Sequence, residues 1–220
     1  MGRAVLLDLI GVLLRFRASV WPEFVEWLRP CTRRDWSEPE LLERIRPIWE
    51  KYYLKIISLE VTPENEGAFW AGLMREVLRA LESDCPVEQG LVEWPYFRFL
   101  EAVPGARVLL EWLKLRCYTV GVYANTVPSI RASLDYHGLG QFVDHAFSSA
   151  AIGYVKPDGR GYGLVARKMG FEPAAITYFD ADEYNVKYAR KVGYRAYLVR
   201  LGEPGPEVIH DLDMIYDILD

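Results

Sequence analysis

Within the first ten residues an unbroken apolar run, Ala4-Val5-Leu6-Leu7, stops at a carboxylate, Asp8. A short apolar run without alternation marks a strand buried on both faces, as in a parallel sheet. A single strand cannot cover its own faces, so its neighbours must come from farther along the chain. They begin near residue 103. Pro104-Gly105 opens a helix to Arg116, and Tyr118 to Tyr123 reads as a strand. There follow a helix from Pro128 to Tyr136, a strand near Asp144 to Phe147, and a helix from Arg160 to Met169. Ile176 to Phe179 (strand), Glu183 to Val192 (helix) and Arg195 to Val199 (strand) complete the series. Strands separated by single helices imply right-handed crossovers and a doubly wound parallel sheet, an α/β fold.

Between these parts the texture differs. Trp21 to Leu28, Pro39 to Lys55 and Pro63 to Leu81 carry apolar residues at helical spacing with Glu and Arg between them. Pro39 and Pro63 follow Ser37-Glu38 and Thr62, the cap-then-proline pattern of a helix start. The expected organisation is a core of residues 1–15 and 102–220 interrupted by an all-helical insert, 16–101. The insert holds six of the seven tryptophans, Trp21, Trp27, Trp36, Trp49, Trp70 and Trp94. They suit the packing of a small bundle, or a pocket for a bulky substrate.

Composition excludes several classes. With 51% hydrophobic and 26% charged residues over 220 positions, the chain is long and apolar enough to fold around a core. A net charge of −5 opposes binding to nucleic acid phosphates. No stretch approaches the roughly 18 apolar residues of a membrane span. The run 4–14 is broken by Asp8 and followed by no cleavage signal. Cys31, Cys85 and Cys117 are odd in number, widely spaced and outside any metal-ligand pattern, so the expectation is free thiols in a reducing cytoplasm. The scarcity of side-chain amides (Asn65, Asn125, Asn185, Gln89, Gln141) beside abundant Arg and Glu is compatible with growth at high temperature.

In open parallel sheets the reactive groups lie just past the carboxyl ends of the strands. Asp8, Ala124-Asn125-Thr126 and Asp180 occupy those ends, and Lys156-Pro157-Asp158 adds a cation in a loop. Together the residues resemble the haloacid dehalogenase (HAD) superfamily of hydrolases and phosphatases. Leu6 to Leu13 is similar to its nucleophile motif, Val120 to Thr126 to the second motif, Gly153 to Asp158 to the lysine motif, and Tyr178 to Asn185 to the acidic fourth. The helical insert matches the position of that superfamily's cap.

The resemblance implies a Rossmannoid core and hydrolysis through an aspartyl intermediate. Asp8 would be the nucleophile and Lys156 the cation offsetting charge, with Asn125 and Thr126 at the second motif. Asp8, Asp180 and the Ile10 carbonyl would be the oxygen ligands of Mg2+. Three positions depart from the pattern. Ile10 stands where phosphatases of the superfamily carry a second aspartate, the general acid, a group worth about 10^2- to 10^4-fold in rate. Ala124 replaces a hydroxyl, and Asn185 replaces a carboxylate that Asp182 or Glu183 would have to supply.

The expected activity is therefore a Mg2+-dependent phosphatase acting on a small phosphorylated metabolite, as monomer or homodimer. The alternatives are a metal-free 2-haloacid dehalogenase-like hydrolase and a catalytically retired binding protein of the same fold. Lys51 and Lys55 are candidates for a Schiff base in the cap, and Arg33-Arg34 for an anion contact. Gly159 to Gly163 imitates a dinucleotide loop without the required strand before it. His137, His145 and His210 form no ligand spacing.

Overall fold

A computed structural model describes residues 3–220. In chain order the first part holds β1 (Arg3–Leu7), β2 (Leu14–Phe16), α1 (Val20–Leu28), α2 (Glu38–Ile57), α3 (Glu66–Ala80), α4 (Val87–Glu93) and β3 (Leu100–Ala102). Then come α5 (Ala106–Leu115), β4 (Tyr118–Ala124), α6 (Ile130–Tyr136), β5 (His145–Ser148), α7 (Ser149–Ile152) and α8 (Gly159–Met169). The chain closes with β6 (Ile176–Asp180), α9 (Glu183–Val192), β7 (Arg195–Val199), β8 (Val208–Ile209) and α10 (Met214–Leu219).

The main sheet has the order β5-β4-β1-β6-β7-β8, and each neighbouring pair is parallel. The first apolar run is its central strand, flanked by β4 and β6. Connections leave in opposite directions there, which opens a crevice at the carboxyl end of β1. Period-two alternation sorts the side chains. Val5 and Leu7 pack with Leu109, Leu110 and Leu113 of α5 on one face. Ala4 and Leu6 pack with Tyr162, Val165 and Met169 of α8 and with Val186 and Ala189 of α9 on the other. Each fully buried leucine contributes about 1.5–3 kcal/mol relative to exposure, so the two layers hold the strand ends in register.

Residues 16–101 carry four helices with an apolar centre of their own, including Phe24, Trp36, Leu41, Leu73 and Trp94. α2 begins at a capping box, Ser37 with Glu40, as the Ser-Glu-Pro start suggests. The short helix α4 and the terminal strand β8 have no counterpart in the sequence reading. At the junction with the core, β2 and β3 form an antiparallel pair with Arg15 opposite Glu101. It is too short to announce itself as period-two alternation, and its partners lie 86 residues apart.

The expectation of three free thiols is overturned. Cys31 and Cys85 form a disulfide with Cα atoms 5.1 Å apart, and Cys117 alone is free. A 54-residue separation hides the pair in sequence. Folding of the insert brings the two together beside the Thr32–Ser83 bridge, where Asp84 N–H donates to the Cys31 carbonyl at 2.7 Å. The inference of a reducing compartment from unpaired cysteines falls with it. No helix among the described residues is long and apolar enough to cross a membrane.

Candidate active site

Asp8 follows directly on β1, and its amide donates to the Phe179 carbonyl at 2.8 Å, which extends the ladder by one residue. The chain then turns sharply: Leu13 and Leu14 amides both donate to the Leu9 carbonyl. Gly11, at φ +90°, makes the turn possible. A Cβ there would lie 2.6 Å from the Cβ of Ala181, so the loops after β1 and β6 touch only because position 11 has no side chain.

Lys156 is 148 residues from Asp8 in sequence, yet its Nζ donates to Asp8 Oδ1 at 2.8 Å. It also donates to Asp180 Oδ2 at 2.7 Å and to Tyr178 Oη at 3.2 Å. All three ammonium protons thus have partners. The Lys156 side chain is 1% exposed, Asp180 0% and Asp8 13%. A buried ion group of this kind is tolerable only when every member is satisfied.

Asp180 is the most heavily bonded member. Its Oδ1 accepts from the Asp182 amide at 2.7 Å and from Asn185 Nδ2 at 3.1 Å. Its Oδ2 accepts from Lys156, from Asn185 Nδ2 at 3.1 Å and from the Tyr178 hydroxyl. A carboxylate offers about four lone-pair directions, and those of Asp180 are taken. Its expected role as a metal ligand does not fit this donor set; here it anchors Lys156. Asn185, read in sequence as a missing carboxylate, is one of the donors. Asp182 caps α9, accepting from the Tyr184 and Asn185 amides at 2.7 and 3.1 Å.

Asn125 lines the cavity with Asp8 and Lys156 and also braces the lysine loop. Its Oδ1 accepts from the Lys156 amide at 2.7 Å and its Nδ2 donates to the Lys156 carbonyl at 3.0 Å. The second motif therefore holds the lysine loop in place. Tyr123 does the same one step earlier, donating to the Tyr154 carbonyl at 2.9 Å. Thr126 lines the cavity with Asp8 and Lys156, while its amide donates to Ser149 Oγ at 3.1 Å.

Burial pushes the Asp8 carboxyl up to about 7; the charge of Asp180 adds to the rise and Lys156 opposes it. Burial works against the Lys156 ammonium, but Asp8 and Asp180 outweigh it and hold its pKa above the ordinary value. Burial, then the charge of Asp180, keeps Tyr178 far above the usual phenol range, so it remains a donor. The sequence reading placed Tyr178 in the fourth motif without a role, although residues 178 and 180 share one face of a strand and so point the same way.

Asp8 and Lys156 floor a cavity of about 460 Å³. Asp8, Ile10, Thr126, Lys156, Asp182 and Asn185 line the core side, and Phe16, Trp49, Tyr53, Ile56, Trp70 and Tyr96 the insert side. Oxygens that remain for a hard cation include the Asp8 oxygen outside the Lys156 pair and the Ile10 carbonyl, which accepts no hydrogen bond among the described residues; Asp182 and Asn185 line the same cavity with Oδ2 and Oδ1, respectively, outside the hydrogen bonds they make. That set fits Mg2+, which keeps several waters and takes the rest of its shell from one or two carboxylates and substrate phosphate. Lys51 is exposed and pairs with Glu76 at 2.8 Å, outside the cavity. Arg33 and Arg34 are exposed and pair with Asp84 and Glu40. Gly159 to Gly163 opens α8, capped by Asp158, and is no dinucleotide loop.

Residues 3–193 match the haloacid dehalogenase-like hydrolase family, and the chain belongs to it: the protein is a hydrolase with a HAD-type α/β core. Over 222 residues it is 33% identical to Phosphatase MT3486 of Mycobacterium tuberculosis, covering 99% of this chain and 96% of that protein. Among solved structures it is similar in fold to the L-2-haloacid dehalogenase PA0810, with TM-score 0.74, 17% identity and coverage of 100% and 99%. It is also similar to a HAD family enzyme of Bacteroides thetaiotaomicron in complex with magnesium and inorganic phosphate, with TM-score 0.64, 18% identity and coverage of 94% and 98%.

Proposed function

We propose that the protein hydrolyses a small phosphomonoester through a covalent phosphoryl intermediate on Asp8. The observation that carries this is the Asp8–Lys156 pair at the floor of the cavity, 2.8 Å long and shielded from water, with one Asp8 oxygen left over. The Asp8 oxygen beside Lys156 attacks phosphorus while the other is left for a cation, the bond to the leaving oxygen breaks, and the alkoxide takes its proton from water, because Ile10 has none to give. Water then attacks the phosphoryl group, the bond to Asp8 breaks, and inorganic phosphate leaves. As Asp8 loses its charge on forming the ester, the Lys156 ammonium remains to stabilise charge on the transferred group. Asn125 keeps Lys156 in place for both steps, and the Thr126 hydroxyl, at the cavity wall, donates to a phosphoryl oxygen.

Charge balance supports a cation. Asp8, Lys156 and Asp180 sum to −1, so a phosphate dianion would raise the local total to −3 without one. Mg2+ held by Asp8 and the Ile10 carbonyl would supply the missing positive charge. The reading is supported further by the phosphatase relative and by the magnesium and phosphate bound in a protein of the same fold.

Fluorine NMR with Mg2+ and beryllofluoride, a phosphoryl mimic, tests it without a known substrate. Bound signals that need both Mg2+ and Asp8, and vanish in Asp8→Asn, are expected; none in folded protein rejects the proposal. A second reading rests on the saturated Asp180: attack by Asp8 on a neutral carbon electrophile needs no cation to balance charge. Turnover of 2-haloacids in excess chelator would establish that reading instead.

A further inference from the structure

The cavity over Asp8 restricts what can leave with the ester oxygen, first through its supply of protons. An alkoxide is about as basic as hydroxide and needs a proton as its bond to phosphorus breaks; a positioned acid there is worth about 10^2- to 10^4-fold. Ile10 lines the cavity two residues past Asp8 and has no proton to give. Its neighbours do not make up the loss. The Lys156 ammonium has its three protons on Asp8, Asp180 and Tyr178, and its pKa is held above the ordinary value. The Tyr96 hydroxyl donates to the Ser129 carbonyl at 3.2 Å, and burial pushes it up to about 12. Asp182 accepts from the Tyr184 and Asn185 amides, the bonding of a helix cap rather than of an acid.

The second restriction is the wall that faces Asp8 from the insert. Trp49, Tyr53, Ile56, Trp70, Tyr96 and Phe99 form it. Among the described residues lining this cavity Lys156 is the only cation, and it is fully committed to the floor. A leaving group with a second phosphate or a carboxylate would press an unpaired charge against rings, which is costly. The rings themselves are fixed before anything binds. Trp70 and Tyr96 stack at 4.9 Å and 6°, and Trp49 meets Phe99 edge to face at 6.3 Å. Such surfaces accept a further ring, offset or edge-on, without reordering.

Resting on the phosphatase reading, we propose that the substrate is an aryl phosphate, the monoester of an otherwise uncharged phenol, whose ring lies against the aromatic wall and whose oxygen leaves without a proton from the protein. The bond from Asp8 to phosphorus forms, the bond from phosphorus to the aryl oxygen breaks, and the electron pair stays on that oxygen, delocalised into the ring. The aryloxide takes its proton from water after release. Phenols ionise near about 10, far below alcohols, so the missing acid costs an aryl ester little and an alkyl ester the full factor. Nucleotide anhydrides also leave readily, but their remaining phosphates would find no cation on the wall.

The test measures kcat/KM of the full chain with Mg2+ for phenyl, benzyl and 4-carboxyphenyl phosphate. Phenyl and benzyl esters both carry a ring, but benzyl leaves as an alkoxide. Phenyl phosphate is expected to exceed benzyl phosphate by about 10^2-fold or more, and 4-carboxyphenyl phosphate to fall about tenfold or more below phenyl. Ile10 is partly exposed, so Ile10→Asp is tolerated; it is expected to cut the phenyl-to-benzyl ratio about tenfold by raising the benzyl rate, while Ile10→Asn, with no acid, keeps the ratio. A ratio unchanged in Ile10→Asp overturns the proposal. So does a selective loss of benzyl turnover in Tyr53→Phe, which would make that exposed wall residue the acid. A 4-carboxyphenyl ester turned over as well as phenyl overturns the uncharged wall. If beryllofluoride binds in the Asp8-dependent way described above, no turnover of phenyl phosphate, or no preference for it, overturns the substrate class alone. No such signal, and no phosphate from any ester, overturns the phosphatase reading itself.

Discussion

The core and the helical insert handle polarity in opposite ways. At the core's crevice, charges are buried and mutually saturated: one ammonium between two carboxylates, with Tyr178 and Asn185 completing the shell. In the insert the ion pairs sit outside, as with Lys51–Glu76 and Arg34–Glu40, and the interior is aromatic, with indole donors at Trp27 and Trp94 lacking partners. A low-dielectric site magnifies both the strength of a completed polar network and the cost of an incomplete one. The core therefore suits a reacting centre that must hold one geometry, and the insert suits recognition that depends on shape.

Breaking the core network should have the largest consequences. Asp8→Asn removes the nucleophile and is expected to lower turnover by about 10^4-fold or more, as measured by steady-state phosphate release. The same variant tests the Asp8 environment. The native carboxyl keeps its proton up to about 7 while the unfolded one releases it near 3.8. The native state therefore binds more protons between these values, and stability falls as pH rises through that window. Thermal unfolding of the parent from pH 4 to 7 is expected to show this loss, and Asp8→Asn to lack it.

Lys156→Met leaves Asp8 and Asp180 buried without their cation. A destabilisation of about 3–5 kcal/mol is expected, readable by calorimetry or denaturant titration; a fall below about 1 kcal/mol would show that the triad is not the buried unit described. In the insert, reduction of Cys31–Cys85 should cost roughly 2–4 kcal/mol for a loop of this length. Unfolding with and without reductant, in a Cys117→Ser background, measures it, and an unchanged midpoint would remove the disulfide from the account of cap stability.

The smallest effect belongs to the link between the regions. Glu66 of the insert accepts from the Ser129 amide at 3.0 Å, from the Ser129 hydroxyl at 2.5 Å and from Trp70 Nε1 at 3.1 Å. Glu66→Gln should weaken the tie by about 1–2 kcal/mol. It is expected to raise KM more than it lowers kcat, because the roof over Asp8 loosens while the reacting groups stay in place.

How far the site could be read in advance differs residue by residue. Asp8 and Lys156 were legible because one ends an apolar run and the other sits in a lysine-proline loop. That both face one cavity follows from β1 lying between β4 and β6. Asn125 and Asp180 were legible as positions, but not the neighbours they bond. A side-chain amide or carboxylate carries no mark in sequence of whether it faces substrate, metal or a neighbouring loop. Tyr178 and the Glu66–Ser129 contact left no local signal beyond strand parity. The Cys31–Cys85 pair shows the same limit at longer range.

Local order along the chain was enough to establish the α/β class, the helical insert, and the strand-end carboxylates with their lysine, because periodicity and the position of polar residues at strand ends are properties of neighbouring residues. Which oxygens Lys156 occupies, how the bonds of Asp180 are filled, and that Trp49 and Trp70 of the insert line the cavity over Asp8 depend on contacts between distant segments. Those contacts are chosen by packing and by the demand that each buried polar group find a partner, a condition met only when the whole chain is folded.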